Sequence, residues 1–217
     1  MLGAGRSGIF EEILIWMDML LNALLKDRKL ILGSASPRRK ELLAGLGVPF
    51  TVDANSNVKE EYDPKTMAEE VPGVLAVLKS DGFHRKLEDD EILITADTVV
   101  ICGDHVLGKP EDRDEAIGML KLLSGRTHMV VTGVCIRSNR EKHVFSASSE
   151  VTFRVLTDEE ICYYVDNFSP YDKAGGYGIQ EWIGYAGITG ISGSYFNVMG
   201  LPVQKLYVEL SDFLQNA

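Results

Sequence analysis

The stretch "LILGSASPRRKELLAGLG", Leu30 to Gly47, decides the fold class. Lys29–Gly33 is a short apolar run closed by glycine and reads as a buried strand. Pro37 then falls at a first helical position, Leu42, Leu43 and Leu46 share one face, and Gly47 ends the segment. Strand, serine-rich loop and helix in succession open an α/β chain. The loop also carries two adjacent arginines, Arg38 and Arg39, on a chain whose formal net charge is −10. That balance argues against general affinity for nucleic acid or an anionic membrane, because both need a basic face. It leaves open a locally positive pocket for an anionic ligand.

The rest of the chain extends the pattern. Phe50–Asp53 reads as a second short strand, and Asn55–Thr66 as a polar loop. A helix is expected from near Pro72 past Lys79 towards Phe83. "EILITADTVVICGDHVLGKP", Glu91 to Pro110, reads as strand segments Ile92–Thr95 and Thr98–Cys102, with Gly103–Asp104 turning into Val106–Leu107. Asp112 caps a helix over Arg113–Leu123, with Gly125 beyond its end. Thr127–Ile136 and His143–Val155 suggest a hairpin around "RSNRE". Thr157 and Glu160 form a capping box for a helix to about Asn167. The segment from Asp172 to Gly200 is glycine-rich and reads as irregular, and "LPVQKLYVELSDFL" closes as a helix. The expected fold is α/β, a mixed twisted sheet flanked by helices, in two lobes around a cleft.

The beginning of the chain reads differently. Ile13–Leu25 is apolar but interrupted by Asp18 and Asn22, and shorter than the roughly 20 residues a membrane span needs. Glu11 and Glu12 sit where a signal peptide keeps positive charge. An amphipathic helix against the body and an extension from an upstream start codon both fit. The three cysteines, Cys102, Cys135 and Cys162, lie far apart and suit buried thiols in a reducing compartment. The expectation is a cytoplasmic protein.

Several residues carry chemistry. A helix N-terminus offers unpaired N–H groups, Ser34 and Ser36 add hydroxyls, and Arg38 and Arg39 add planar charged forks suited to phosphate. The plainer alternative makes Ser36 an N-cap and the arginines a solvated face. Asp97, between two apolar segments, fits either a metal-bound or proton-accepting carboxylate or a turn aspartate at a strand end. Glu60, Lys79 and Lys109 are unremarkable singly. In "SPYDKAGGYGIQ", Ser169 to Gln180, glycines allow close backbone approach, and Gln180 has the donor and acceptor that read a base edge.

Taken together, "SASPRRKELL", "NVKEEY", "ADTVV", "GKP", "LSGRTH", "VTGV", "VTFRVLTDEEI", "DKAGGYGIQ" and "GSYFNVMGLP" resemble the Maf family of nucleotide pyrophosphatases, also called septum formation inhibitor proteins. The likeness runs from Leu30 almost to the C-terminus and omits roughly the first 28 residues, so a single domain over 29–217 is implied after an N-terminal extension, 1–28. It implies a Maf/ITPase-like fold around a nucleotide-binding cleft, with hydrolysis of nucleoside triphosphates between the α and β phosphates and a divalent cation, Mg²⁺ or Mn²⁺. By the resemblance Asp97 matches the general base, and Ser34, Arg39, Glu60, Lys79 and Lys109 match the other positions of the catalytic pocket. Glu60 and Asp97 are the implied cation ligands. Arg38, Thr98 and Gln180 match the specificity positions of the dTTP/UTP branch, with Ser36 beside them as a substrate contact. The resemblance also implies a homodimer. The alternatives are a regulatory binding protein acting on septum formation and cell division, and a purine-directed house-cleaning pyrophosphatase. The first would not need a base, an acid pair and a triphosphate cradle together, and Thr98 and Gln180 disfavour the second.

Overall fold

The computed structural model describes residues 21–56 and 58–216. Most of the expected N-terminal segment therefore lies outside the described residues. The helix α1 (Leu21–Leu25), within its described part, buries Leu21 and Leu25 in the core beside Leu206 and Leu210.

Strand β1 (Lys29–Leu32) leads through the serine loop into α2 (Pro37–Ala44). Ser36 is its N-cap, accepting from the Arg39 N–H, and Pro37 fills a first-turn position where a missing N–H costs nothing. The regular helix ends at Ala44, one turn before the expected stop; Gly47, at φ 70°, closes the turn that follows. After β2 (Phe50–Val52), α3 (Val71–Asp81) carries Lys79 in its last turn. β3 (Glu91–Cys102) is one unbroken strand, and β4 (His105–Leu107) folds back on its end. α4 (Arg113–Leu123) starts on the Asp112 cap. β5 (Thr127–Arg137) and β6 (Lys142–Phe153) form the hairpin, and the Thr157–Glu160 box opens α5 (Asp158–Phe168).

The expectation of an irregular 172–200 segment is corrected. After two single 3₁₀ turns it holds α6 (Trp182–Gly187), β7 (Ile188–Ser192) and α7 (Tyr195–Met199) before the last helix, α8 (Val203–Asn216). Each is only five or six residues long, too short for a helical or strand period to emerge from the glycines.

The seven strands among the described residues make one mixed sheet in the order β2-β1-β3-β5-β6-β7, with β4 paired to β3 off this path. β5 covers one edge of β3 from Leu93 to Ile101. On the other edge β1 runs parallel along Glu91–Ile94, and β4 runs antiparallel along Val100–Cys102. Among the described residues no strand pairs with 95–99 on that edge, and the sheet opens there. Such a divergence beside the carboxyl end of a parallel strand is where α/β sheets take ligands.

Alternation along β3 assigns the layers. Ile92, Ile94 and Ala96 pack with α2 and α8, whereas Val100 and Cys102 pack with α4 and α5, so this face carries two separate apolar clusters with Thr98 between them. On the opposite face Val99 and Ile101 meet Val71 and Leu75 of α3. The approach of α3 is very close at Gly133 of β5. A Cβ there would sit 2.3 Å from the Gly73 nitrogen, so only glycine lets the helix lie flat on the strand.

Candidate active site

The gap in the sheet leads into a cavity of about 490 Å³. Ser34, Ser36, Arg38, Arg39, Glu60, Lys79, Asp97, Thr98, Lys109 and Gln180 all line it. Every residue expected from the sequence is thus brought to one place, from the loop after β1, α2, the polar loop, α3, β3, the loop after β4 and the glycine-rich segment.

On the α3 face Asp97 and Glu60 are linked through one ammonium. Lys79 Nζ is 2.5 Å from Asp97 Oδ1 and 3.2 Å from Glu60 Oε1. Asp97 is only 7% exposed, so its charge depends on this partner and on the neighbouring cationic loop. It stands in mid-strand, which rules out the turn aspartate at a strand end. The structure also separates Glu60 from Glu61: Glu60 faces the cavity, whereas Glu61 pairs with Lys59 in solvent.

Arg39 lies across the gap. Its Nε donates to the Gly200 carbonyl at 2.8 Å and its Nη1 to the Ala96 carbonyl at 2.8 Å. Nη1 also reaches Ser34 Oγ, and Nη2 reaches Thr98 Oγ1. Ala96 would otherwise lack a strand partner on that edge, so the guanidinium replaces one. Of five N–H donors one remains uncommitted by these contacts. The arginine is mostly a brace for the opening, and no carboxylate among the described residues pairs with it directly. Burial pushes its pKa down, opposed by Asp97 and Glu60 nearby.

Arg38 points the other way. It meets Asp172, with Nη1 2.5 Å from Oδ2 and Nη2 3.2 Å from the carbonyl. Burial lifts the Asp172 carboxyl, but Lys173 and Arg38 outweigh it, and its pKa falls to about 2. The buried Lys173 ties Asp172 to Glu181 at 2.7 and 3.0 Å. Glu181 in turn receives the Tyr164 hydroxyl, which accepts from the Gly178 N–H. This chain fixes the loop that presents Gln180. Gln180 lines the cavity, and its buried Oε1 has no partner among the described residues.

Behind the loop, Tyr177 lines the cavity and its hydroxyl lies 2.7 Å from His128 Nε2. Of this support, Lys173 and His128 lie within the quoted markers but were given no role of their own, and Glu181 and Tyr164 carried no sequence signal beyond residue type. Burial lowers the His128 pKa to about 4. The unfolded chain therefore binds a proton near pH 6.5 that the folded chain refuses until about 4. Its contribution is complete above pH 6.5 and is lost as pH falls towards 4, an effect of roughly 3 kcal/mol. His128→Gln should flatten the stability-versus-pH curve across that window, as read by urea unfolding at each pH. An unchanged slope would mean that His128 is not held neutral.

The family model of Maf-like proteins matches residues 29–213. The chain belongs to the Maf family. Among its Maf relatives, a protein of Porphyromonas gingivalis named dTTP/UTP pyrophosphatase is 56% identical over 191 residues, covering 87% of this chain and 96% of that one. A Phocaeicola vulgatus protein of the same name is 53% identical over 186 residues, covering 86% and 96%. A solved nucleoside-triphosphatase / dITP/XTP pyrophosphatase of Mycobacterium abscessus aligns with 87% of this Maf chain and 97% of its own. At 12% identity and a TM-score of 0.39, it is too remote to bear on fold or activity.

Proposed function

We propose that this Maf protein hydrolyses dTTP and UTP between the α and β phosphates, releasing the monophosphate and pyrophosphate and so removing unwanted pyrimidine nucleotides. One observation carries the reading. Gln180, whose buried Oε1 has no partner among the described residues, lines the same cavity as the Glu60–Lys79–Asp97 chain and the cationic loop. A glutamine amide with its oxygen unmatched supplies the donor and acceptor that a base edge needs once the side chain turns into the cavity. The names of the relatives at 56% and 53% identity support the same substrates.

In this reading Thr98, Arg38 and Gln180 face the base, and Asp97 accepts the proton of the attacking water. Ser34, the amides at the start of α2, the remaining Arg39 N–H and Lys109 take the charge that develops on the leaving pyrophosphate. Lys79 holds Asp97 and Glu60 as a pair.

Two carboxylates are what Mg²⁺ or Mn²⁺ uses when phosphate oxygens and waters complete its shell. Glu60 and Asp97 fit that role, and among the described residues there is no cluster of three or more His, Cys, Asp or Glu to enclose an ion entirely in protein. Such an ion, when bound, acidifies a coordinated water and neutralises phosphate charge. No helix among the described residues is long and apolar enough to cross a membrane. A cytoplasmic setting, with the protein as a homodimer, belongs to the same proposal.

The test is kcat/KM for dTTP, UTP, CTP, GTP and 7-methyl-GTP, in the wild type and in Gln180→Ala. The wild type should favour dTTP and UTP. Gln180→Ala should lose about 10-fold of that preference with little change in Tm. A purine as the best substrate, or an unaltered profile in Gln180→Ala, would contradict the reading.

A further inference from the structure

The proton of the Thr98 hydroxyl is directed by residues behind the cavity. Thr132, opposite Thr98 on β5 and fully buried, has its Oγ1 3.0 Å from Thr98 Oγ1. The same Thr132 oxygen lies 3.2 Å from the carbonyl of Asn197. A carbonyl oxygen only accepts, and a threonine hydroxyl has one proton. Thr132 therefore donates to Asn197, and Thr98 must be the donor in its bond to Thr132. Arg39 Nη2 donates to Thr98 Oγ1 at 3.1 Å. With its proton sent backwards and one lone pair engaged by Arg39, Thr98 offers the cavity an acceptor and nothing else.

Both ends of this relay are held. Asn197 is 0% exposed, and its Nδ2 donates to the Val130 carbonyl at 3.1 Å and to Ser149 Oγ at 3.0 Å. At the cavity end, Gly200 has φ 115°, and a Cβ there would lie 3.5 Å from Thr98 Oγ1. Glycine is the residue that both adopts this backbone and leaves the hydroxyl uncovered.

We propose that Thr132 is a specificity-determining positioning residue, which keeps Thr98 an obligate acceptor so that the cavity selects a base presenting an N–H there. This rests on the dTTP/UTP pyrophosphatase reading. Uracil and thymine offer N3–H at their pairing edge. Cytosine offers a bare N3 lone pair, which against the Thr98 lone pair leaves two acceptors facing each other with no proton between them. Thr132 reaches no ligand itself; it acts through the direction of one proton.

The experiment compares kcat/KM for UTP and CTP in the wild type, Thr132→Val and Thr132→Ser, with Tm measured for each. Valine keeps the shape and removes the acceptor, so the Thr98 proton is free to turn into the cavity. The UTP-to-CTP ratio should fall about 10-fold in Thr132→Val and stay at the wild-type value in Thr132→Ser. An unchanged ratio in folded Thr132→Val overturns the inference. Should the valine variant not fold, Thr132→Cys serves the same purpose, because sulfur is a weak acceptor, and the same two outcomes apply. A wild type that hydrolyses UTP with a ratio insensitive to these changes overturns this inference alone. A wild type that hydrolyses neither nucleotide overturns the pyrimidine reading and the inference with it.

Discussion

Asp97→Asn should lower kcat for dTTP and UTP by about 10²–10⁴-fold, the range that a positioned general base contributes. The amide keeps the size of the side chain and its place in β3 but cannot take a proton from water. Nucleotide affinity, measured by calorimetry without added cation, should change only a few-fold, because the loop and the base contacts lie elsewhere in the cavity. The fold should survive as well. Lys79 would keep its contact with Glu60 and could still donate to the amide oxygen. Hydrolysis at near wild-type rate would move the proton-accepting role away from Asp97, with Glu60 as the next carboxylate in the cavity. Loss of nucleotide binding along with turnover would make Asp97 part of the cradle instead.

Arg39→Lys should damage stability and turnover together. Lysine keeps the charge but has no planar fork to span Gly200 and Ala96 while reaching Thr98 and Ser34. At least one of the two carbonyls would lose its donor, a cost on the order of 1–3 kcal/mol. For a chain of 217 residues that corresponds to a Tm lower by roughly 3–9 °C. Because Arg39 braces the edge of β3 beside Asp97 and Thr98, kcat/KM should fall by about 100-fold as both are displaced. Lost activity at an unchanged Tm would make Arg39 a phosphate ligand and no brace. Unchanged stability and activity would refute both roles.

The parts legible in the sequence were those governed by local rules. Asp112 and Thr157–Glu160 announced their helices because capping is a contact within one turn. Pro37 and Ser36 did the same for α2. The ten residues of the candidate site were legible through motif likeness, and the structure adds how they meet. Glu60, named through the motif likeness, has a neighbour of identical type, and the structure adds that Glu60 meets the Lys79 ammonium whereas Glu61 pairs with Lys59. Thr132 and Asn197 were illegible because their significance is a contact between residues 65 positions apart. In sequence, one is a strand threonine and the other a polar residue among glycines. The gap along residues 95–99 was hidden for a related reason: β3 is continuous, and its opening arises from where β1 ends and β4 begins.

The most direct measurement is the identity of the products. Purified protein with Mg²⁺ or Mn²⁺ is given dTTP or UTP, and the reaction is followed by phosphorus NMR. Pyrophosphate appearing in equal amount with dTMP or UMP is the expected result. Orthophosphate with dTDP or UDP would place the cleavage at the wrong bond and contradict the account.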